Sequence, residues 1–134
     1  MDKTNDSYEI IEAATCLLLS VANADEILEE DELSTIHDIV SDYFKLDADT
    51  IAVLMHSAKK IMFQSTGLFE FGQILNTHMQ YQDKVDFICC IFEVAFADGD
   101  LHYLEHHTIR KIAHIMNIEH EDLVNAKTEI ESYL

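Results

Sequence analysis

The sequence carries two similar runs of acidic side chains, and carboxylate oxygens are the ligands that Ca²⁺ and Mg²⁺ prefer in proteins. The candidate ligands are Asp25, Glu26, Glu29 and Glu32 in the first run and Asp98, Asp100 and Glu105 in the second. If the two runs face each other in the fold, their carboxylates can converge on one ion. The pattern therefore predicts a divalent-cation site, with Ca²⁺ or Mg²⁺ favoured over Zn²⁺.

A structural role for the same acids is the alternative. Asp25 and Asp98 can cap the helices that follow them, while Glu32 and Glu105 stand where the acid of a capping box reaches back to a helix start. Local hydrogen bonds alone would then explain why the acids recur. Neither run matches the EF-hand loop, which needs a glycine at its sixth position and a bidentate glutamate at its twelfth. Both interpretations remain open at the level of sequence.

A histidine pair lies within the second run. His102 and His106 flank Glu105 with the H-x-x-E-H spacing of inverted zinc metalloproteases, and imidazole is a zinc ligand. With His107, these side chains are possible ligands for a transition metal. The first run has no histidine at the equivalent positions, and no distant third ligand is identifiable. Zinc proteolysis is therefore disfavoured.

The two acidic runs belong to a longer internal similarity. Aligning Val21–Ile39 with Val94–Ile112, at a constant offset of 73, gives nine identical residues in 19 positions. Similarity at a fixed offset indicates a duplicated supersecondary unit. We therefore predict two helix–acidic turn–helix units related by pseudo-two-fold symmetry, with repeats at about residues 7–62 and 82–133.

The elements that must position these turns are helices. Apolar residues recur at helical spacing throughout, and no segment alternates with period two. The first predicted helix covers about residues 7–23, and the fifth covers about residues 82–97. Asp47 or Asp49 caps the third helix, and Ser65-Thr66-Gly67 ends it. The prediction is an all-α fold of about seven helices, with residues 1–134 forming one compact domain.

Six phenylalanines lie on the apolar stripes of these helices and are predicted to be core residues. They are Phe63, Phe69, Phe71, Phe87, Phe92 and Phe96.

The composition of the chain disfavours two classes of function. The chain has 26 acidic residues against 8 Lys and Arg, a net charge of −18. Such a surface repels phosphate backbones and anionic membranes, so nucleic-acid binding is disfavoured. No apolar run reaches the roughly 18 residues of a membrane span, so direct membrane insertion is not expected. The polar, acidic opening predicts an unexported, cytoplasmic protein, and its three cysteines are expected to be reduced.

The acidic turns also resemble a known family. The pattern A-D-[GE]-x-[IL]-x-x-x-E occurs at Ala24–Glu32 and again at Ala97–Glu105, and it is similar to that of the tellurite-resistance TerB-like family. The resemblance implies an all-helical domain without an established enzymatic activity, linked to responses to tellurite and other chemical stress, with a cation site on the duplicated acids. The third position is glycine in the family and in the second turn but glutamate, Glu26, in the first turn, so the first turn is expected to differ in geometry or metal affinity.

These observations predict a non-enzymatic, cytoplasmic TerB-like module that acts as a binding or scaffold domain in a stress response. Its partners would be proteins, bound through an apolar groove or the acidic face. One alternative is a metal-dependent hydrolase that uses the acidic turns with His102 and His106. Another is a structural homodimer in which the acids serve only as caps.

Overall fold

The computed structural model describes residues 3–64 and 67–134, and throughout these ranges the regular structure is helical. The helices are α1 (Lys3–Ala22), α2 (Glu30–Phe44), α3 (Ala48–Gln64), α4 (Leu68–His78), α5 (Tyr81–Ala95), α6 (Tyr103–Ile115) and α7 (His120–Glu131). The all-α prediction and the predicted number of helices are confirmed. The break predicted at Ser65 and Thr66 lies outside the described residues.

The second half of helix α1 lies at the centre of the fold because it is apolar on every side. Residues 13–19 are buried without interruption, which is more than a full helical turn with no solvent-facing side. A helix that is hydrophobic all round must be surrounded by others, and α1 contacts α2, α3, α4, α5 and α6. The hydroxyl of Thr15 is satisfied within the helix, since it donates to the Ile11 carbonyl at 2.8 Å.

Helix α5 is the second central element, and it packs against α1, α2, α6 and α7. At the offset of 73, Leu19 corresponds to Phe92 and Val21 to Val94, and all four side chains are fully buried. Both central helices lead directly into an acidic turn. The apolar packing between α1 and α5 therefore determines where the two turns begin.

The helix boundaries decide between the two candidate caps of α3. Asp47 accepts a hydrogen bond from the backbone N–H of Thr50 at 2.8 Å, and this bond lowers the pKa of Asp47. Asp49 instead lies inside the first turn of α3. Two residues before Asp47, Lys45 ends α2 in the left-handed conformation with φ of 57°.

The phenylalanine prediction is correct for four residues and wrong for two. Phe71, Phe87, Phe92 and Phe96 are buried, whereas Phe63 and Phe69 are 63% and 64% exposed. Phe63 lies in the last turn of α3 and Phe69 in the first turn of α4. Helical spacing identifies the apolar stripe of a helix but not how far a neighbouring helix covers it.

The cysteines are free thiols within the helices. Cys16 is buried, and Cys89 and Cys90 are half-buried. Burial raises the pKa of the Cys16 thiol to about 12, which keeps it protonated and unreactive near neutral pH. Among the described residues, no helix is long and apolar enough to cross a membrane.

Gly72 allows α4 to pack closely on α6. A Cβ atom at this position would lie 2.6 Å from Cγ2 of Ile115, well inside van der Waals contact. We predict that Gly72→Ala destabilises the protein, because an overpacking penalty of about 1–3 kcal/mol exceeds the gain in helix propensity of about 1 kcal/mol. Urea denaturation measures the change.

The double variant Gly72→Ala/Ile115→Ala is the control for this interpretation. Removing Cγ2 of Ile115 makes room for the new methyl group, so the two substitutions together should cost less than the sum of their separate effects. Additive losses would show that the two residues do not restrict each other.

Candidate functional site

The two acidic turns share one backbone design. We define the first acidic turn as residues 23–29 and the second as residues 96–102. In the first, backbone N–H groups donate from Asn23 to Leu19, from Ala24 to Val21 and from Glu26 to Asn23. In the second, the same bonds occur 73 residues later, from Phe96 to Phe92, Ala97 to Val94 and Gly99 to Phe96. The internal similarity of the sequence thus has a counterpart in local geometry.

The aspartate of each turn closes the turn itself. Asp25 Oδ1 accepts from the N–H of Ile27 at 3.0 Å, and Asp98 Oδ1 accepts from the N–H of Asp100 at 3.1 Å. These are Asx turns, in which an aspartate bonds the backbone two residues on. The hypothesis that Asp25 and Asp98 cap the following helices is wrong, because their carboxylates are used within the turns, several residues before α2 and α6 begin.

Both turns reverse direction through one left-handed residue. Glu26 has φ of 66° and Gly99 has φ of 91°. Glycine adopts this conformation freely, whereas a residue with a Cβ atom does so at a cost. The departure at Glu26 therefore leaves the left-handed geometry in place, and the first turn carries the strain that the second avoids.

The motif glutamates reach back to the helix starts, as the capping-box hypothesis predicts. His102 is the N-cap of α6, where its Nδ1 accepts from Leu104 N–H at 3.3 Å and its own N–H donates to Glu105 Oε1 at 3.3 Å. Glu32 has the corresponding hydrogen bond with the backbone of Glu29, the N-cap of α2. Capping thus accounts for one oxygen of each glutamate.

The same two glutamates also meet each other. Glu32 is 3% exposed and Glu105 is 4% exposed, and their carboxyl groups lie within hydrogen-bonding reach of each other. We call Glu32 and Glu105 the acid pair. It brings together the start of α2 and the start of α6, so the two acidic turns end near each other.

The raised pKa values of both carboxyl groups favour a shared proton on the acid pair near neutral pH. Burial, the hydrogen bond with Glu32 and the charge of Glu32 raise the pKa of Glu105 to about 9. Burial also raises the pKa of Glu32. Oε2 of Glu105 is buried and has no donor when both groups are ionised, so a proton on this oxygen supplies the missing hydrogen bond between the two carboxyl groups.

The turn aspartates add negative charge to the acid pair. Asp98 raises the pKa of both glutamates, and Asp25 raises that of Glu32. Asp98 is exposed and Asp25 is half-buried, so both carboxylates are accessible to solvent. The remaining predicted ligands, Glu26, Glu29 and Asp100, are exposed.

The described residues contain no group of three or more His, Cys, Asp or Glu side chains arranged to hold a metal ion. The orphaned buried Oε2 of Glu105 nevertheless fits a cation as well as a proton, because either one supplies the positive partner that the oxygen lacks. A metal would use the acid pair first, with Asp25 and Asp98 as further ligands once their side chains turn inward.

The histidines of the second run lie in different surroundings. His102 uses Nδ1 as a helix cap and stacks on Tyr103, with ring centroids 5.1 Å apart. Burial is the main cause that lowers the pKa of His106. The positive charges of the nearby Lys127 and Arg110 lower it further. His107 lines a separate groove beside α4. These surroundings give no support to a shared zinc site at His102 and His106.

Sequence reasoning identified Glu32 and Glu105 but not the bond between them. Their equivalence at the offset of 73 was visible, and so were the apolar residues around each, such as Leu33 and Ile109. A glutamate that occurs at equivalent positions of both repeats, next to apolar core residues, is the sequence feature that indicates a buried pair. The distance between the two turns, however, depends on how α1 packs against α5.

Comparison with known proteins adds one finding. The family model described as tellurite resistance protein TerB matches residues 11–128, which covers both acidic turns and most of every helix. No curated protein and no solved structure gives a significant match.

The acid pair predicts an unusual pH dependence of stability. The folded protein keeps a proton on Glu105 up to a pKa of about 9, whereas an unfolded glutamate loses it near ~4.3. Because the folded state binds more protons across this window, the free energy of unfolding falls as pH rises through it, by at most about 1.4 kcal/mol per pH unit. Glu105→Gln carries a permanent donor and should lack this slope.

Urea denaturation of the metal-free protein between pH 5.5 and 8.5 tests this expectation. Glu105→Gln should gain stability over the unsubstituted protein as pH rises. Glu29→Gln, which removes an exposed charge at the start of α2, is the matched control and should retain the slope. Parallel pH profiles for Glu105→Gln and the unsubstituted chain would show that Glu105 is ionised at neutral pH.

The left-handed positions give a second prediction. Gly99→Ala should destabilise the protein by roughly 1 kcal/mol, because alanine is strained in this conformation, although nothing lies within 4 Å of the added Cβ. Glu26→Ala should be nearly neutral, since Glu26 already carries a Cβ at the equivalent position. Chemical denaturation of the two variants measures the difference, and equal losses would refute the backbone explanation.

Proposed function

The chain belongs to the TerB family, and we propose that this tellurite-resistance-like domain is a non-enzymatic binding module that holds a divalent cation at its acid pair. The observation that carries the proposal is the buried contact of Glu32 with Glu105, flanked by Asp25 and Asp98. Two turns, far apart in sequence, bring Glu32 and Glu105 together, and the charges of Asp25 and Asp98 are near enough to act on them. The setting of this module is a cytoplasmic response to chemical stress.

The two carboxyl groups of the acid pair repel each other when both are ionised. Two neighbouring carboxylates cannot both be charged in a buried site without a positive partner. A proton is one such partner and a divalent cation is another, which neutralises both groups and satisfies Oε2 of Glu105. The acid pair would therefore supply the first ligands of a cation site.

The ligand chemistry favours Ca²⁺ or Mg²⁺. All four candidate ligands are carboxylates, which suit hard cations, whereas soft or imidazole ligands are the usual partners of Zn²⁺. Asp25 and Asp98 must exchange their turn hydrogen bonds for the ion, and solvent can fill the remaining coordination positions because both lie toward the surface. Ca²⁺ accepts such irregular coordination more readily than Mg²⁺ does.

The partners of the module are proteins. The net charge of −18 favours a basic partner, and exposed aromatic side chains at Phe63, Phe69 and Tyr103 offer apolar contact area. Tyr103 follows directly after the second acidic turn, so a cation bound there would lie next to this surface. A homodimer formed through the same residues is the structural alternative.

A thermal melt of EDTA-treated protein, with and without Ca²⁺, Mg²⁺ or Zn²⁺, tests the cation site. Binding to the folded state at 100 times the dissociation constant adds about 2.7 kcal/mol, which corresponds to a rise in Tm of about 10 °C for a domain of this size. We expect this rise with Ca²⁺ or Mg²⁺ and its loss in Glu105→Gln.

Two further variants separate ligation from turn structure. Asp25→Asn and Asp98→Asn keep an oxygen that accepts the turn hydrogen bond, so the metal-free Tm should change little while the response to the cation weakens. Asp49→Asn removes an exposed carboxylate on α3 and should respond as the unsubstituted protein does. An unchanged Tm with every ion would refute the cation site and leave the acid pair with its proton.

A further inference from the structure

A second candidate site has the opposite charge to the acid pair, because positive rather than negative side chains line it. A partly enclosed cavity of about 380 Å³ lies among α5, α6 and α7. Its apolar lining is formed by Phe92, Leu123 and Val124. This volume falls within the range of small-molecule sites, which are mostly apolar with a few convergent polar groups.

The polar groups of this cavity are predominantly basic. His106 and Arg110 line it from α6, while His120 and Lys127 line it from α7. Glu131 is the one acidic side chain in the lining. Two permanent cations and two histidines therefore surround an apolar floor in a chain that has only 8 Lys and Arg in total.

Among the described residues, neither permanent cation of the cavity is neutralised by a neighbouring carboxylate, and Arg110 also borders the groove beside α4. The chain has 26 acidic residues, yet within the described ranges neither Arg110 nor Lys127 has a carboxylate within 4 Å, and the ion pair found there joins His37 to Asp38. Burial is the main cause that lowers the pKa of His106, which lines the same cavity, and the positive charges of Lys127 and Arg110 lower it further. Bringing like charges together is unfavourable unless an anion offsets it.

We propose that this cavity binds a small organic anion, a phosphate monoester or carboxylate attached to a compact apolar or aromatic body. The guanidinium of Arg110 suits the planar or tetrahedral oxygens of such groups, and Lys127 adds a point charge. The body of the ligand would contact Phe92, Leu123 and Val124. A protein segment is disfavoured as the ligand because the cavity is small and partly enclosed.

The combination of features makes the site selective. The net negative charge of the molecule disfavours the approach of anions in general, so an inorganic ion gains only the local attraction of the cations. An anion with an apolar body also gains by removing that body and the exposed part of Val124 from water, at about 25 cal/mol per Å² of buried apolar surface. Both parts of the ligand are therefore required for tight binding.

Isothermal titration of the full chain with phenyl phosphate, inorganic phosphate and benzyl alcohol tests the proposal, with benzoate as the carboxylate probe. We expect phenyl phosphate or benzoate to bind at least about tenfold more tightly than inorganic phosphate and benzyl alcohol, a factor equivalent to about 1.4 kcal/mol. Equal affinity of the complete anions and their separate parts would overturn the proposal.

Variants locate the binding to this cavity. Arg110→Gln and Lys127→Gln should each weaken binding about tenfold, since each removes a charge-assisted hydrogen bond. Lys111→Gln is the matched control, because Lys111 is exposed on the same helix and lines a different groove. A loss of affinity that is equal in all three variants would show only a general charge effect and would overturn the assignment. Melting curves verify that each variant is folded.

This site and the acid pair have separate tests. Phenyl phosphate binding should persist in EDTA and in Glu105→Gln, whereas the cation response should persist in Lys127→Gln. A negative result for the cation site would therefore leave the proposed anion cavity unaffected, and the reverse also holds.

Discussion

The contact between Glu32 and Glu105 imposes the strictest requirement on this fold. Two buried carboxyl groups are stable next to each other only if a positive partner lies between them, and each must also satisfy the backbone at the start of its own helix. Both conditions are met only when the N-terminus of α2 and the N-terminus of α6 lie side by side. The two acidic turns must therefore end at a defined distance from each other.

The rest of the structure supplies that distance. Helices α1 and α5 are apolar enough to pack in the centre, and each enters its acidic turn from the buried core. The Asx turns at Asp25 and Asp98 and the left-handed residues Glu26 and Gly99 then redirect the chain. The strain at Glu26 is tolerated because the turn it forms positions Glu32.

Positive and negative groups are separated along α6. At its start, Glu105 turns inward to the acid pair, while the next residue, His106, lies toward Arg110 and Lys127 in the cavity beside α7. Adjacent residues on a helix point about 100° apart, so one helix can serve two surroundings of opposite charge. The net charge of the chain does not reveal this separation, on which the two proposed sites of opposite charge depend.

The sequence by itself determined the helices and the places of the two turns. Helical spacing and the motif shared with the TerB family are properties of neighbouring residues, which short-range hydrogen bonds and backbone preferences decide. The choice of Asp47 over Asp49 as a cap, and the use of Asp25 and Asp98 within their own turns, came from the structure. Only the tertiary structure decided that Glu32 bonds Glu105, that Phe63 and Phe69 remain exposed, and that His106 lies beside Lys127 instead of pairing with His102. Each of these depends on how helices distant in sequence pack against one another, because burial and the spacing of charges arise from that packing.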